Sequence, residues 1–185
     1  MKRSRSAGLD LEQRLARVEL LLLDVDGVLT DGRIVLDDRG EETKFFDVTD
    51  GHGLKMLRRG GIEAGFVTGR RSLVVEHRAR ELGIREVHQG SKDKLRVVRE
   101  ILARRALSPD RVAYAGDDVV DLPVLLQVGL AISVPDAPEY VRERVHWVTS
   151  RPGGRGAVRE ICDAMLKSRG LWEEQTRKYF FPEPL

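Results

Sequence analysis

Four consecutive leucines, Leu20 to Leu23, run directly into two aspartates in the stretch "LLLLDVDGVLTDG". An apolar run of strand length that shows no polar alternation is typical of a strand buried on both faces, as in a parallel sheet covered by helices. Further short apolar runs follow along the chain, and amphipathic segments separate them. These runs predict strands over residues 20–25, 62–68, 86–88, 112–115, 130–134 and 145–149.

The segments between these runs have the periodicity of helices. Leu95, Val98, Ile101 and Leu102 share one helical face, and a second apolar stripe precedes the end of the chain. Strands that alternate with helices predict right-handed crossovers and an α/β fold, with a doubly wound, Rossmann-like parallel sheet flanked by helices. The second stripe contains Val158, Ile161, Cys162, Met165 and Leu166.

A chain of 185 residues is long enough for one domain with a sizeable core, so we expect a single domain over residues 1–185. One segment breaks the alternation, because two strand-like runs, 33–36 and 43–48, flank the polar turn "DDRG" and predict a protruding β-hairpin. We therefore divide the chain into a lead-in over 1–17 that contains a short helix over 9–17, the hairpin within 31–50, and a polar tail with aromatics over 170–185.

Composition excludes several classes of protein. The net charge is only +2, which leaves no global field for nucleic-acid binding. The chain begins without the apolar segment of a signal peptide, and no apolar run approaches the ~18 residues of a membrane span. The single cysteine, Cys162, rules out an internal disulfide and is expected to be a buried thiol. We expect a cytoplasmic protein with no nucleic-acid or membrane partner.

Acidic residues follow two of the predicted strands. Asp24 and Asp26 end the first strand, and Asp117 follows the apolar run "VAYA". Ligands of open parallel sheets bind beyond the carboxyl ends of the strands, so Asp117 can face Asp24 if the two strands are neighbours. Clustered carboxylates repel one another, and oxygen ligands are those that Mg²⁺ prefers. The second cluster also contains Gly116, Asp118 and Asp121.

Two further motifs suit an anion. The run "AGFVTGRR" ends in Thr68, Gly69 and Arg70, where a hydroxyl and free backbone N–H groups can bind phosphate. The segment "HQGSKDK" places Lys92 and Lys94 before a helix, and a lysine there can neutralise a phosphate oxygen. Acids for a metal, an oxygen nucleophile and cations for phosphate together indicate phosphoryl transfer.

In this order, "DVDGVLTD", the threonine of "VTGR", a lysine and "GDDVVD" resemble the motifs of the haloacid dehalogenase superfamily. The resemblance implies that Asp24 is the nucleophile and that Asp26 is the general acid and base. It implies Mg²⁺ held by the side chains of Asp24 and Asp117 and by the backbone carbonyl of Asp26. Thr68 and Lys94 would hold the phosphoryl group. Asp118 and Asp121 would act indirectly, by contacting these ligands or through water.

Spacing narrows the resemblance to members without a cap domain. About 44 residues separate Asp24 from Thr68, and the hairpin occupies much of that gap; about 26 residues separate Thr68 from Lys94. Neither gap holds a folded cap, because a domain of under ~40 residues rarely folds alone. The segments "LLLDVDGVLTDG", "DGHGLKML", "QGSKDKL", "GDDVVDLPVL" and "GGRGAVREIC" resemble the capless phosphatases that hydrolyse 3-deoxy-D-manno-octulosonate 8-phosphate (KDO 8-phosphate), a step in lipopolysaccharide sugar biosynthesis.

That family implies a homotetramer in which the hairpins form a barrel and a neighbouring subunit closes each site. Its substrate is a small phosphorylated sugar acid, whose oxyanions suit arginine side chains. Arg155, in "GGRG", would reach the adjacent subunit's pocket. The implied phosphate and substrate contacts are Asp26, Asp47, Val48, Thr49, Asp50, Gly51, Lys55, Thr68, Arg70, Arg78 and Lys94.

The sequence leaves alternatives open. The family loop often reads Asn-Val-Arg-Asp-Gly, whereas here it is "DVTDG", so another sugar acid phosphate of the nine-carbon, sialic-acid type is an alternative substrate. A non-catalytic phospho-acceptor or regulatory domain also places acids beyond parallel strands. Thr68 could be an ordinary helix N-cap, and Arg70 and Arg78 could pair with Glu76 or Glu81 on a helix surface. Exposed Phe45 and Phe46 would indicate an oligomer interface.

Overall fold

A computed structural model describes residues 9–181. Its main sheet has six parallel strands in the order β5-β4-β1-β6-β7-β8, and a separate two-stranded antiparallel sheet pairs β2 with β3. The predicted doubly wound α/β fold with a hairpin is confirmed. The strands are β1 Leu20–Leu23, β2 Val35–Leu36, β3 Glu42–Thr43, β4 Glu63–Val67, β5 Glu86–His88, β6 Val112–Ala115, β7 Leu130–Ser133 and β8 Trp147–Val148.

The leucine run forms the centre of the sheet. β1 lies between β4 and β6, and Leu22 pairs with Gly65 on one side and Tyr114 on the other. Because strand side chains alternate between faces, Leu21 and Leu23 enter one core while Leu20 and Leu22 enter the other. All four leucines are buried, which explains why the run lacks polar alternation.

Helices cover both faces of the sheet. Buried residues of α1, α2, α3 and α7 pack into one core, and those of α4, α5 and α6 pack into the other. The predicted apolar stripe from Val158 to Leu166 is buried on α7, and burial raises the pKa of the Cys162 thiol well above its ordinary value. The helices are α1 Leu11–Arg17, α2 Val48–Arg59, α3 Leu73–Leu82, α4 Lys94–Arg105, α5 Leu122–Leu125, α6 Glu139–Arg142, α7 Ala157–Ser168 and α8 Trp172–Phe180.

The hairpin strands are shorter than predicted. The predicted strand over 43–48 is wrong at its end, because Val48 begins α2. Asp47 caps this helix, and its Oδ1 accepts a hydrogen bond of 2.6 Å from the backbone N–H of Thr49. An aspartate that satisfies a free N–H at a helix start favours the helix over an extended strand.

The two ends of the described chain are helical. At the start, α1 begins at Leu11 rather than residue 9, because Asp10 and Gln13 form a capping box. The predicted tail over 170–185 contains α8, on which Gln175 and Thr176 are buried. The rest of the predicted lead-in and tail, residues 1–8 and 182–185, lies outside the described residues. No helix within residues 9–181 is long and apolar enough to cross a membrane.

Candidate active site

The site lies where the order of strands along the chain reverses. From β1 the chain builds one side of the sheet through β4 and β5, and then returns to place β6 on the other side of β1. Asp24 follows β1, and its backbone N–H donates a hydrogen bond of 2.9 Å to the carbonyl of Ala115, the last residue of β6. This reversal point is where open α/β sheets bind ligands.

Three carboxylates meet at this edge. One oxygen from each of Asp24, Asp117 and Asp121 lies within 4.8 Å of the others. The expected approach of Asp117 to Asp24 is thus present in the fold. Such a group of oxygens can hold a hard divalent cation.

Gly27 allows the two acidic strand ends to approach. It adopts a φ of +89°, and a Cβ at this position would overlap the carboxylate of Asp117. Only glycine combines this backbone conformation with the space that the carboxylate needs. Gly27, the glycine of "DVDG", therefore leaves the space that Asp117 occupies after β6.

Lys94 connects two of the three carboxylates. Its Nζ lies 2.7 Å from Oδ2 of Asp24 and 2.7 Å from Oδ1 of Asp121, and the residue is only 4% exposed. Burial lowers the pKa of Lys94, but the charges of Asp24 and Asp121 outweigh burial and leave that pKa raised. The lysine is consequently a fixed, buried cation beside Asp24 and not a solvated lysine on a helix surface.

Asp121 is fully buried and organises the loop after β6. Its Oδ1 accepts a hydrogen bond of 2.7 Å from the Tyr114 hydroxyl, and its Oδ2 accepts the backbone N–H groups of Asp117 and Asp118 at 3.1 and 3.2 Å. Tyr114 was not among the predicted site residues, because a tyrosine within an apolar strand carries no signal of a polar contact.

Burial also changes the acids themselves. Burial, together with the charges of Asp24 and Asp121, raises the pKa of Asp117 to about 7. Burial and the charge of Asp121 raise the pKa of Asp24 to about 6, although Lys94 opposes this. Because three carboxylates face a single lysine, a bound divalent cation would compensate the excess negative charge.

Asp26 lies beside the hairpin rather than among these acids. It forms an ion pair with Lys44, which follows β3 and was not among the predicted site residues. Glu42 contacts Lys44 at 3.3 Å and Arg70 at 2.8 Å, so Arg70 pairs with the hairpin and not with Glu76. No sequence motif indicated a role for Lys44, because a single lysine in a hairpin is common on protein surfaces.

Thr68 stands at the carboxyl end of β4 and is 2% exposed. Its backbone N–H donates to the carbonyl of His88, and its own carbonyl accepts from the N–H of Ser91. The alternative of an ordinary N-cap is wrong, because Ser72 is the N-cap of α3. The structure thus places Thr68 on the next strand end from Asp24, between two neighbouring loops.

Several of the predicted substrate contacts lie together on α2 and α3. Arg78 donates to the carbonyl of Asp47 at 3.2 Å and forms an ion pair with Glu81 at 2.7 Å, as one of the open alternatives anticipated. Lys55 also lies 3.9 Å from Glu81. Gly51 packs against the Arg78 guanidinium, and Val48 and Thr49 are exposed beside it.

Asp50 departs from its predicted role as a substrate contact. It is 1% exposed, and its Oδ1 accepts a hydrogen bond of 2.7 Å from the backbone N–H of Arg159 in α7. Burial raises the pKa of Asp50 to about 6, although backbone N–H groups at the start of α7 lower it. In this chain Asp50 joins α2 to the start of α7, which leaves it no exposed carboxylate for a ligand.

The glycine-rich segment "GGRG" packs on the loop of its own chain that follows β1. The Gly154 N–H donates to the carbonyl of Val28 at 3.0 Å, and a Cβ on Gly153 would overlap the carbonyl of Gly27. Arg155 is exposed. Its contact with a neighbouring subunit stays a prediction.

Acids beyond the two central strands, a buried lysine and a threonine on the next strand end are typical of hydrolases of the haloacid dehalogenase superfamily. No protein-family model matches the chain. Individual proteins do match: the chain is 46% identical over 167 residues to the 3-deoxy-D-manno-octulosonate 8-phosphate phosphatase KdsC of Yersinia pestis, covering 90% of this chain and 89% of that protein.

Two solved structures agree with this comparison. A 3-deoxy-D-manno-octulosonate 8-phosphate phosphatase from Moraxella catarrhalis, in complex with magnesium ion, phosphate ion and KDO, is 38% identical with a TM-score of 0.89, covering 91% of this chain and 97% of that one. A Legionella pneumophila protein described as a haloacid dehalogenase superfamily (subfamily III A) hydrolase is 40% identical with a TM-score of 0.89, covering 92% and 93%.

The chain belongs to the family of 3-deoxy-D-manno-octulosonate 8-phosphate phosphatases. The family resemblance drawn from the sequence motifs is confirmed. The roles of individual site residues stay predictions.

Proposed function

We propose that the chain is a Mg²⁺-dependent phosphatase that hydrolyses KDO 8-phosphate to KDO and phosphate, in lipopolysaccharide sugar biosynthesis. One observation carries the proposal: Asp24 and Asp117 lie together beyond the two central strands, with the Lys94 ammonium 2.7 Å from Asp24. The relatives support the substrate, since the Moraxella catarrhalis enzyme binds magnesium, phosphate and KDO.

In the proposed reaction, a carboxylate oxygen of Asp24 forms a bond to phosphorus as the bond to the sugar oxygen breaks. Asp26 gives its proton to the leaving alkoxide, so KDO departs as an alcohol. Asp26 then takes a proton from water, whose oxygen bonds to phosphorus as the bond from phosphorus to Asp24 breaks, which releases phosphate and restores the Asp24 carboxylate. Lys94 and Thr68 hold the phosphoryl oxygens throughout.

The residues proposed to hold Mg²⁺ are Asp24, Asp117 and the backbone carbonyl of Asp26. The raised pKa values of Asp24 and Asp117 fit this role, because two buried carboxylates without a compensating cation resist ionisation. The ion would neutralise charge on the phosphoryl group. Asp121 acts indirectly, because it binds the Lys94 ammonium and accepts hydrogen bonds from the backbone N–H groups of Asp117 and Asp118.

Without a divalent cation, the free energy of unfolding should decline as the pH rises from about 4 to about 7. Asp24 and Asp117 have folded pKa values of about 6 and about 7, above the ordinary 3.8, so the folded state binds these protons more tightly. The stability that the protonated acids contribute is lost as the pH rises through the folded values. Mg²⁺ should therefore raise the Tm more above this window than below it.

Calorimetry with Mg²⁺ or with a chelator, on either side of the window, measures this effect. Asp117→Asn is the matched variant, because it removes one carboxylate and keeps the size of the side chain. The same Mg²⁺-induced change in Tm at both pH values, or in both proteins, would contradict the proposed site.

A panel of phosphorylated sugar acids tests the substrate. KDO 8-phosphate should exceed nine-carbon sugar acid phosphates in kcat/KM by about tenfold or more, because hydrogen bonds to substrate hydroxyls discriminate strongly. Activity should require Mg²⁺ and disappear with a chelator. Equal rates across the panel would contradict the narrow substrate, and faster turnover of a nine-carbon compound would favour the alternative that Asp47 and Thr49 suggest.

We also propose a homotetramer assembled through the hairpin. Large apolar side chains of this element are exposed, with Ile34 at 58%, Leu36 at 56% and Phe45 at 67%. An exposed apolar patch of this kind marks an interaction surface. Phe46, in contrast, packs against the core of its own chain. Light scattering tests the proposal, and a fully active monomer would contradict it; the cytoplasmic location stays a prediction.

A further inference from the structure

We propose that Lys44 is a positioning residue for Asp26, so that the hairpin orients the general acid and base of its own chain. The inference rests on the proposed function, because it gives Lys44 a role only if Asp26 transfers protons. Nothing in the four sequence motifs includes Lys44, and its assignment comes from the contacts that the fold creates.

The Lys44 side chain is 2% exposed and lies between two acids. Its Nζ binds Oδ1 of Asp26 and lies 3.3 Å from Oε1 of Glu42. A lysine buried in this way is held by its partners, since an ammonium group is rarely buried without them. The lysine therefore fixes one oxygen of the Asp26 carboxyl group relative to the hairpin.

The other oxygen of Asp26 has a different environment. Oδ2 is buried and accepts no hydrogen bond from residues 9–181, and Nε of Arg70 lies 3.9 Å from it. A buried carboxyl oxygen without a partner is unusual in a folded protein. Because Oδ2 has no hydrogen-bond partner among these residues, the contact of Oδ1 with Lys44 is what orients the Asp26 carboxyl group.

Glu42 and Arg70 keep Lys44 in place. Glu42 accepts a hydrogen bond of 2.8 Å from Arg70 and also contacts Lys44. The cations Lys44 and Arg70 and the acids Asp26 and Glu42 therefore form one connected set. A buried ion pair contributes little net stability compared with apolar packing. The effect of this set is thus on the orientation of Asp26, and proton transfer depends on that orientation.

The test compares two leaving groups. The alkoxide of KDO must be protonated as it departs, whereas p-nitrophenolate leaves as a stable anion. Lys44→Met should lower kcat/KM for KDO 8-phosphate by about 10²-fold and that for p-nitrophenyl phosphate by less than about fivefold. Lys44→Arg, which keeps the cation, should recover part of the loss. Lys178→Met, on α8, is the matched control and should leave both values unchanged.

An equal loss for both substrates would overturn the proposal, as would a raised KM with unchanged kcat, which would make Lys44 a substrate contact. If Lys44→Met does not fold, Glu42→Gln provides the same comparison, because it removes the charged partner that keeps Lys44 beside Asp26 and preserves the size of the side chain. Failure of the proposed function would give a different result. The unmodified chain would then not hydrolyse KDO 8-phosphate, and Asp26→Asn would leave its activity unchanged.

Discussion

Asp24→Asn should lower phosphate release from KDO 8-phosphate by about 10⁴-fold or more, because the amide cannot form the phospho-enzyme bond. The fold should survive, because Lys94 keeps its contact of 2.7 Å with Asp121. Without Mg²⁺ the variant should be at least as stable as the unmodified protein, since it removes a buried carboxylate whose pKa is raised to about 6.

Phosphate release and the melting temperature measure both effects. Substrate labelled in its phosphate should leave label on the acid-quenched unmodified protein and none on Asp24→Asn. Asp136→Asn, in an exposed loop, is a matched control that makes the same chemical change. Retained label on Asp24→Asn, or substantial turnover, would contradict the assignment of Asp24 as nucleophile.

Asp26→Asn should lower kcat by about 10²- to 10⁴-fold, because the amide can neither protonate the leaving alkoxide nor accept a proton from water. The backbone carbonyl proposed to bind Mg²⁺ is unchanged, so the Mg²⁺-induced rise in Tm should persist. Lys44 keeps Glu42 as a partner in this variant, which limits the loss of stability.

Steady-state kinetics and calorimetry with Mg²⁺ test this second prediction. Full activity in Asp26→Asn would refute the proton-transfer role and would favour the non-catalytic phospho-acceptor domain, which has no use for this acid. A loss of both activity and folding would instead show that Asp26 is structural. Lys44→Met on p-nitrophenyl phosphate then separates orientation from folding.

Local features of the sequence were sufficient to predict the fold class. The apolar runs with helical segments between them predicted the parallel sheet, because burial on both faces removes polar alternation. The prediction was wrong at Val48, where capping by Asp47 shortens a strand and begins a helix. Capping is decided by a single hydrogen bond, which the pattern of apolar residues does not reveal.

The candidate site was only partly predictable. Acids at strand ends are visible in the sequence, and a parallel sheet brings such ends to one edge. Lys44 and Asp50 were not predictable in their observed roles, because their contacts depend on packing. Asp50 caps a helix through Arg159, 109 residues away, and Lys44 reaches Asp26 only because the hairpin folds back on the loop after β1.

The sequence by itself determined which residue types stand at the strand ends, because the apolar pattern and the motifs are properties of the chain. Only the tertiary structure decided that β1 and β6 are neighbours, which brings Asp24 and Asp117 within reach of one ion. It also decided which charged side chains share a buried space. Strand order and burial arise from contacts between distant segments, and no local pattern encodes those distances.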